Sequence, residues 1–132
     1  MIRRSERMMA DARSQPPLTI VSPSGGTRWR VLPNGVVQRT IDGGSTWEAQ
    51  DIGVDVAPTA GASPSPLVCW LVGPRGLVLL SIDGRSWKRA AVPDQTANLT
   101  AVRAVDDKTA SVTAADGRTF QTNDGGVTWT KL

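Results

Sequence analysis

The side chains able to do acid, base or nucleophilic chemistry are few in this sequence, and most of them are aspartates. Histidine and tyrosine are absent and Cys69 is the one cysteine. Without them there is no imidazole base, no phenolate nucleophile, no dithiol redox pair and no Cys/His zinc site. Cys69 lies in the apolar run LVCWLV (67–72), where a thiol is expected to be buried and unreactive. The carboxylates remain. Asp42, Asp83 and Asp124 recur at a spacing of 41, each followed by glycine. Asp51, Asp55, Asp94, Asp106 and Asp107 show no paired spacing of the kind acid/base hydrolysis uses. No catalytic residue, metal ligand or cofactor-binding residue is therefore expected, and no cofactor.

The elements that carry these aspartates repeat. WRVLPNGVVQRTIDGG (29–44), WLVGPRGLVLLSIDGR (70–85) and SVTAADGRTFQTNDGG (111–126) align without gaps, and Gly35, Gly76 and Gly117 keep the same 41-residue register. All five tryptophans fall on repeat positions: Trp29 and Trp70 in one strand, and Trp47, Trp87 and Trp129 just after the Asp-Gly turn. The middle turn, DGRSW, is one residue shorter than DGGSTW and DGGVTW. Each unit reads as four short strands joined by turns, with glycine supplying the positive φ that tight hairpins need. In the first unit the strands are expected at 18–22, 28–32, 36–40 and 47–50, and in the last at 99–105, 109–114, 117–122 and 129–132. The stretch VAPTAGASPSP in the middle unit, rich in proline and alanine, is expected to be mostly loop. Four strands per 41 residues is the size of a propeller blade. The expected fold is all-β, a partial β-propeller of three four-stranded antiparallel blades at about 17–51, 56–92 and 97–132, preceded by a basic flexible tail, 1–16.

The turns carry a family resemblance. TIDGGSTW (40–47) and TNDGGVTW (122–129) resemble the Asp-box, or BNR repeat, and 81–87 resembles a contracted copy. The structural set is thus Asp42, Gly43 and Trp47; Asp83, Gly84 and Trp87; Asp124, Gly125 and Trp129. In this reading the carboxylate accepts hydrogen bonds from the amides left open at the two glycines, and the tryptophan folds beneath into apolar surroundings. Such a box identifies architecture rather than activity. Sialidases share it but need a tyrosine nucleophile. With the W-x-V-x-x-x-G hairpin placed before the box, the sequence is most similar to the photosystem II assembly and stability factor propellers, and equally to C-terminal propeller domains of bacterial anti-sigma factors.

The first resemblance implies a non-catalytic protein–protein interaction or scaffold module serving a photosynthetic or other membrane complex. The alternative is a sensory or regulatory domain of an anti-sigma-factor-like protein, with a glycosidase-type enzyme less favoured. The formal charge of +3 is concentrated in the tail, where Arg3, Arg4, Arg7 and Arg13 outweigh Glu6 and Asp11. Without interleaved aromatics this does not point to nucleic acid. No secretory signal or transmembrane run is visible in these residues, so the chain reads as soluble, its compartment open. Arg75 and Arg118, beside equivalent hairpin glycines, are the candidate partner surface. Three blades fall short of a closed ring, and their end faces are expected to be bare and apolar, which would favour a homo-dimer or incorporation into a larger assembly.

Overall fold

A computed structural model describes residues 18–132; the tail expected at 1–16 lies outside them. The described chain is all strand and turn. β1 (Leu18–Val21), β2 (Arg28–Val31), β3 (Val37–Thr40) and β4 (Glu48–Gln50) form the first sheet. β5 (Ala60–Ser65), β6 (Val68–Val72), β7 (Leu77–Ser81) and β8 (Lys88–Ala91) form the second, and β9 (Leu99–Ala104), β10 (Ala110–Ala114), β11 (Thr119–Thr122) and β12 (Thr130–Lys131) the third. Every neighbouring pair is antiparallel. The first strands of successive sheets lie side by side, β1 against β5 and β5 against β9. The sheets are therefore blades of a partial propeller, stacked face to face.

Strand alternation decides which side chains fill the seams between blades. In the middle blade both faces are apolar. Trp70, Val72, Val78 and Leu80 pack with Leu99, Val112 and Phe120 of the third blade, while Cys69, Leu71, Leu77 and Leu79 pack with Ile20, Trp29, Val31 and Val37 of the first. Trp29 and Trp70 are fully buried, as is the Cys69 thiol, whose pKa burial pushes up. Turn chemistry follows the repeat: Gly35 and Gly117 sit at φ of +89° and +92°. In the middle hairpin Arg75 joins Gly76 at positive φ, with the Leu77 amide donating to the Pro74 carbonyl at 3.2 Å. In the other two blades the turn bond lies one residue earlier, from the Gly35 amide to the Leu32 carbonyl at 2.8 Å and from the Gly117 amide to the Ala114 carbonyl at 2.9 Å.

Two expectations are corrected. The segment from Ala60 to Ser65 is a strand, not loop: it pairs with β6 through Ala60↔Val72, Gly61↔Leu71 and Ala62↔Trp70, and Pro64 is accommodated where the register shifts before Ser65↔Val68. Small residues are needed there, because a Cβ on Gly61 would stand 2.6 Å from Ile20 Cγ1 and 2.8 Å from Leu71 Cδ2. The Ala/Gly composition that reads as loop is what lets β5 lie against the first blade.

The outer faces of the end blades are not bare apolar surfaces either. On the third blade the face away from the core carries Arg103, Ser111, Thr113, Thr119 and Gln121. Ser111 and Gln121 occupy the places of Trp70 and Leu80. On the first blade the outward residues are Thr19, Arg28, Arg30 and Gln38, with the exposed Val21 beside Arg28. The Arg28 Nε–H donates to the Gly25 carbonyl at 2.7 Å and the Arg30 Nε–H to Gln38 Oε1 at 2.7 Å. Only the middle blade has another of the described blades against both faces, so its two-sided apolar pattern does not carry over to the other two.

Candidate functional site

Each complete Asp-box is a closed hydrogen-bond circuit. Asp42 Oδ1 accepts from the Thr40 hydroxyl at 2.7 Å and from the Thr46 amide at 2.9 Å, and Oδ2 accepts from the Thr46 hydroxyl at 2.6 Å. The glycine amides do not go to the carboxylate as expected. The Gly44 amide donates to Thr40 Oγ1 at 3.0 Å, and the Gly43 amide to the Gly26 carbonyl at 2.9 Å. The same circuit recurs at Asp124: Thr122 donates to its Oδ1 at 2.8 Å, the Thr128 amide at 2.9 Å, and Gly126 donates to Thr122 Oγ1 at 2.9 Å. Gly125 donates to the Lys108 carbonyl at 2.9 Å, tying the box to the first hairpin of its blade. The threonine is thus the relay between glycine and aspartate, and it is buried in both boxes.

The tryptophans close the turns from the other side. Trp47 Nε1 donates to the Gly44 carbonyl and Trp129 Nε1 to the Gly126 carbonyl, both at 3.1 Å. Trp129 and Trp87 pack on the two apolar clusters as expected. Trp47 does not: it is half-buried beneath the Arg30 guanidinium, 3.9 Å from its ring centroid, a cation–π cover on the outward face of the first blade. In the contracted middle box Asp83 accepts from the amides of Ser86 at 2.7 Å and Arg85 at 2.9 Å.

These contacts fix the carboxylates as anions. The Thr46 hydroxyl, first, and that of Thr40 hold Asp42 well below the ordinary carboxylate range. The Ser86 and Arg85 amides bring Asp83 to about 2, and the Thr128 hydroxyl and amide bring Asp124 to about 2. Asp94 is lowered by the Thr96 hydroxyl and by Arg118, and Asp106 by the amides of Lys108 and Thr109. None of these is a base poised near neutrality. Among the described residues no group of three His, Cys, Asp or Glu side chains gathers to hold a metal.

Arg75 and Arg118 do come to one rim, joined through the segment between the second and third blades. The Arg75 amide donates to Asn98 Oδ1 at 3.2 Å, the Gly76 amide to the Ala97 carbonyl at 2.7 Å, and the Ala115 amide to the Asn98 carbonyl at 2.8 Å. The two guanidiniums differ in state. Arg118 is clamped between Asp94 and Asp116, with Nε 2.8 Å from Asp116 Oδ2, whereas Arg75 is exposed. Sequence reasoning missed Asp94 and Asn98 as the residues that organise this rim. The Asp-x-Thr pattern of Asp94 and Thr96, which closes a local side-chain turn, is the signal that marked it.

A search of curated proteins returns no match. Among solved structures, "YCF48 bound to D1 peptide" superposes with a TM-score of 0.76 at 24% identity, covering 88% of this chain and 39% of that one. YCF48 from Cyanidioschyzon merolae gives 0.72 at 26% identity, over 88% of this chain and 36% of that one. An ancestral GH74 enzyme gives 0.67 at 13% identity over 86% and 18%, a likeness of fold alone. This chain therefore spans less than two-fifths of the length of either YCF48 structure. The family model described as photosynthesis system II assembly factor YCF48 matches residues 15–132, covering all three blades and every box. On that match, the chain belongs to the YCF48 family of Asp-box propellers.

Proposed function

We propose that this chain is a non-catalytic protein-binding scaffold that engages a photosystem II subunit during assembly. Membership of the YCF48 family over residues 15–132 carries the reading, and the chemistry of the carboxylates supports it. Asp42, Asp83, Asp94, Asp106, Asp116 and Asp124 are all held as anions by local donors, leaving none poised as a general base. A relative was solved with a D1 peptide, and a D1-type segment is the partner proposed here. The rim of Arg75 and Arg118 is its candidate contact, Arg75 as the exposed cation and Arg118 as the clamp that holds the rim through Asp94. Fluorescence polarisation with a labelled D1 peptide should give saturable binding that Arg75→Ala weakens; absence of saturable binding by the wild-type chain overturns the reading.

Homotypic ring completion would set Ser111, Thr113, Thr119 and Gln121 of one copy against Arg28, Arg30 and Gln38 of the next. Such a seam would be hydrogen-bonded rather than dry. We therefore do not assign the end faces to a second copy of this chain.

A further inference from the structure

The two seams between blades are built on the same plan but do not close alike. In the seam between the second and third blades, Gly126 packs so tightly that a Cβ there would stand 2.6 Å from Ala90 Cβ, and Leu80 lies over Gly125. Trp70 Nε1 donates across the seam to the Asp106 carbonyl at 2.9 Å. In the seam between the first and second blades, the equivalent positions hold Arg85 for Gly126 and Arg39 for Leu80. An arginine cannot enter the space that admits only glycine. Among the described residues the Trp29 indole N–H is buried without a partner, and so is the Nε–H of Arg39, whose guanidinium lies over the Trp29 ring at 5.8 Å and against Gly84.

A cleft of about 310 Å³ results, lined by Arg39, Ile41, Thr46, Trp47, Glu48 and Arg85. One repeat along, a second cleft of about 280 Å³ is lined by the matching residues Leu80, Ile82, Ser86, Trp87 and Lys88, with Asp83. The first carries two arginines against Glu48 and so holds net positive charge; the second is mostly hydrocarbon. Each has an exposed isoleucine at its lip, Ile41 at 68% and Ile82 at 59% exposure, far outside the range of a core residue.

We propose that the two clefts form one docking rim for an extended partner segment, which places carboxylates in the Arg39/Arg85 cleft and an aliphatic side chain in the Leu80/Ile82/Trp87 cleft. Charge complementarity selects the first half: a carboxylate in the cleft would pair with the Arg39 guanidinium, whose Nε–H the seam leaves without an acceptor, and with the exposed Arg85. The apolar lining selects the second. This inference rests on the scaffold reading and adds a recognition element on the outer, Asp-box side of the blades, separate from the rim of Arg75 and Arg118.

The test uses the full chain and a labelled peptide in which Asp-Glu-Asp is joined through Ser-Gly spacers of several lengths to Leu-Val-Leu. Controls replace the acids with Ser or the apolar residues with Ser. At the best spacer, polarisation should show the bipartite peptide binding at least about tenfold more tightly than either control. The variant Arg39→Leu/Arg85→Gly installs the residues of the closed seam, so it should fold with an equal or higher Tm and lose the acid-dependent part of binding. Ile82→Ser, an exposed change, should lose the part that depends on Leu-Val-Leu. Equal binding of all three peptides, or unchanged affinity in the folded double variant, overturns the inference. Either result leaves the scaffold reading intact if the wild-type chain still binds the D1 peptide; loss of that binding sinks the scaffold reading instead.

Discussion

The Asp-box shows how little separates a catalytic-looking residue from a structural one. An aspartate repeated three times beside glycine invites a search for acid/base work, yet each oxygen of Asp42 and Asp124 is occupied by a threonine two residues before or four after. The buried Thr122 hydroxyl is the weaker point, because it alone serves the Gly126 amide. Thr122→Val should cost about 1–3 kcal/mol by stranding that buried donor, measured by urea denaturation, while Thr122→Ser should recover most of it. The aspartates set a pH dependence. Their folded pKa values are depressed, to about 2 for Asp83 and Asp124, so their contribution is full above the unfolded value near pH 4 and is lost as pH falls through about 2. Thermal scans from pH 6 to about 2 should therefore show stability falling mainly below about pH 4, with a shallower fall in Asp124→Asn. A flat profile would show that the boxes do not bind protons differently in the folded and unfolded chain.

Among the elements, β5 is the most informative, because its sequence argues against it. Gly61 is held in a strand by the need for Ile20 and Leu71 to meet over it. Gly61→Ala is expected to destabilise by about 1–3 kcal/mol through overpacking, and Ile20→Ala in the same chain should return part of that loss. A double-mutant cycle with no coupling would break the account. The contrast with β2, β3, β10 and β11 explains how much was legible. β2, β10 and β11 alternate cleanly, and with β3 they follow the 41-residue register of glycine, aspartate and tryptophan, so blade number, strand order and box positions could be read from spacing. What could not be read depends on neighbours across a seam. β5 is a strand because small residues fit beneath the first blade. Arg39 lines a cleft because its guanidinium lies against Gly84 and over Trp29. The asymmetry of Arg75 and Arg118 arises from Asp94, in a different segment.

For the whole molecule, the polar end faces replace the closure argument that blade counting suggests. Self-association through these faces would set Ser111, Thr113, Thr119 and Gln121 against Arg28, Arg30 and Gln38, mostly polar side chains with Val21 among them. Sedimentation of this chain at micromolar concentration should give a single species near 14.0 kDa, with a Tm independent of protein concentration. A dimer with a concentration-dependent Tm would show that hydrogen-bonded seams suffice to close the ring.

The outward face of the third blade is also an engineering handle. Ser111, Thr113, Thr119 and Gln121 stand in register with Trp70, Val72, Val78 and Leu80 of the middle blade. Writing the middle blade's residues onto those positions (Ser111→Trp, Thr113→Val, Thr119→Val and Gln121→Leu) would turn a polar face into a socket. With a matching apolar patch in place of Arg28, Arg30 and Gln38, each molecule would offer a plug at one end and a socket at the other. Head-to-tail addition then either closes into a ring or runs on as a filament, according to the rotation between copies. Four hydroxyl and amide side chains thus set this face apart from the matching face of the middle blade, on the same antiparallel backbone.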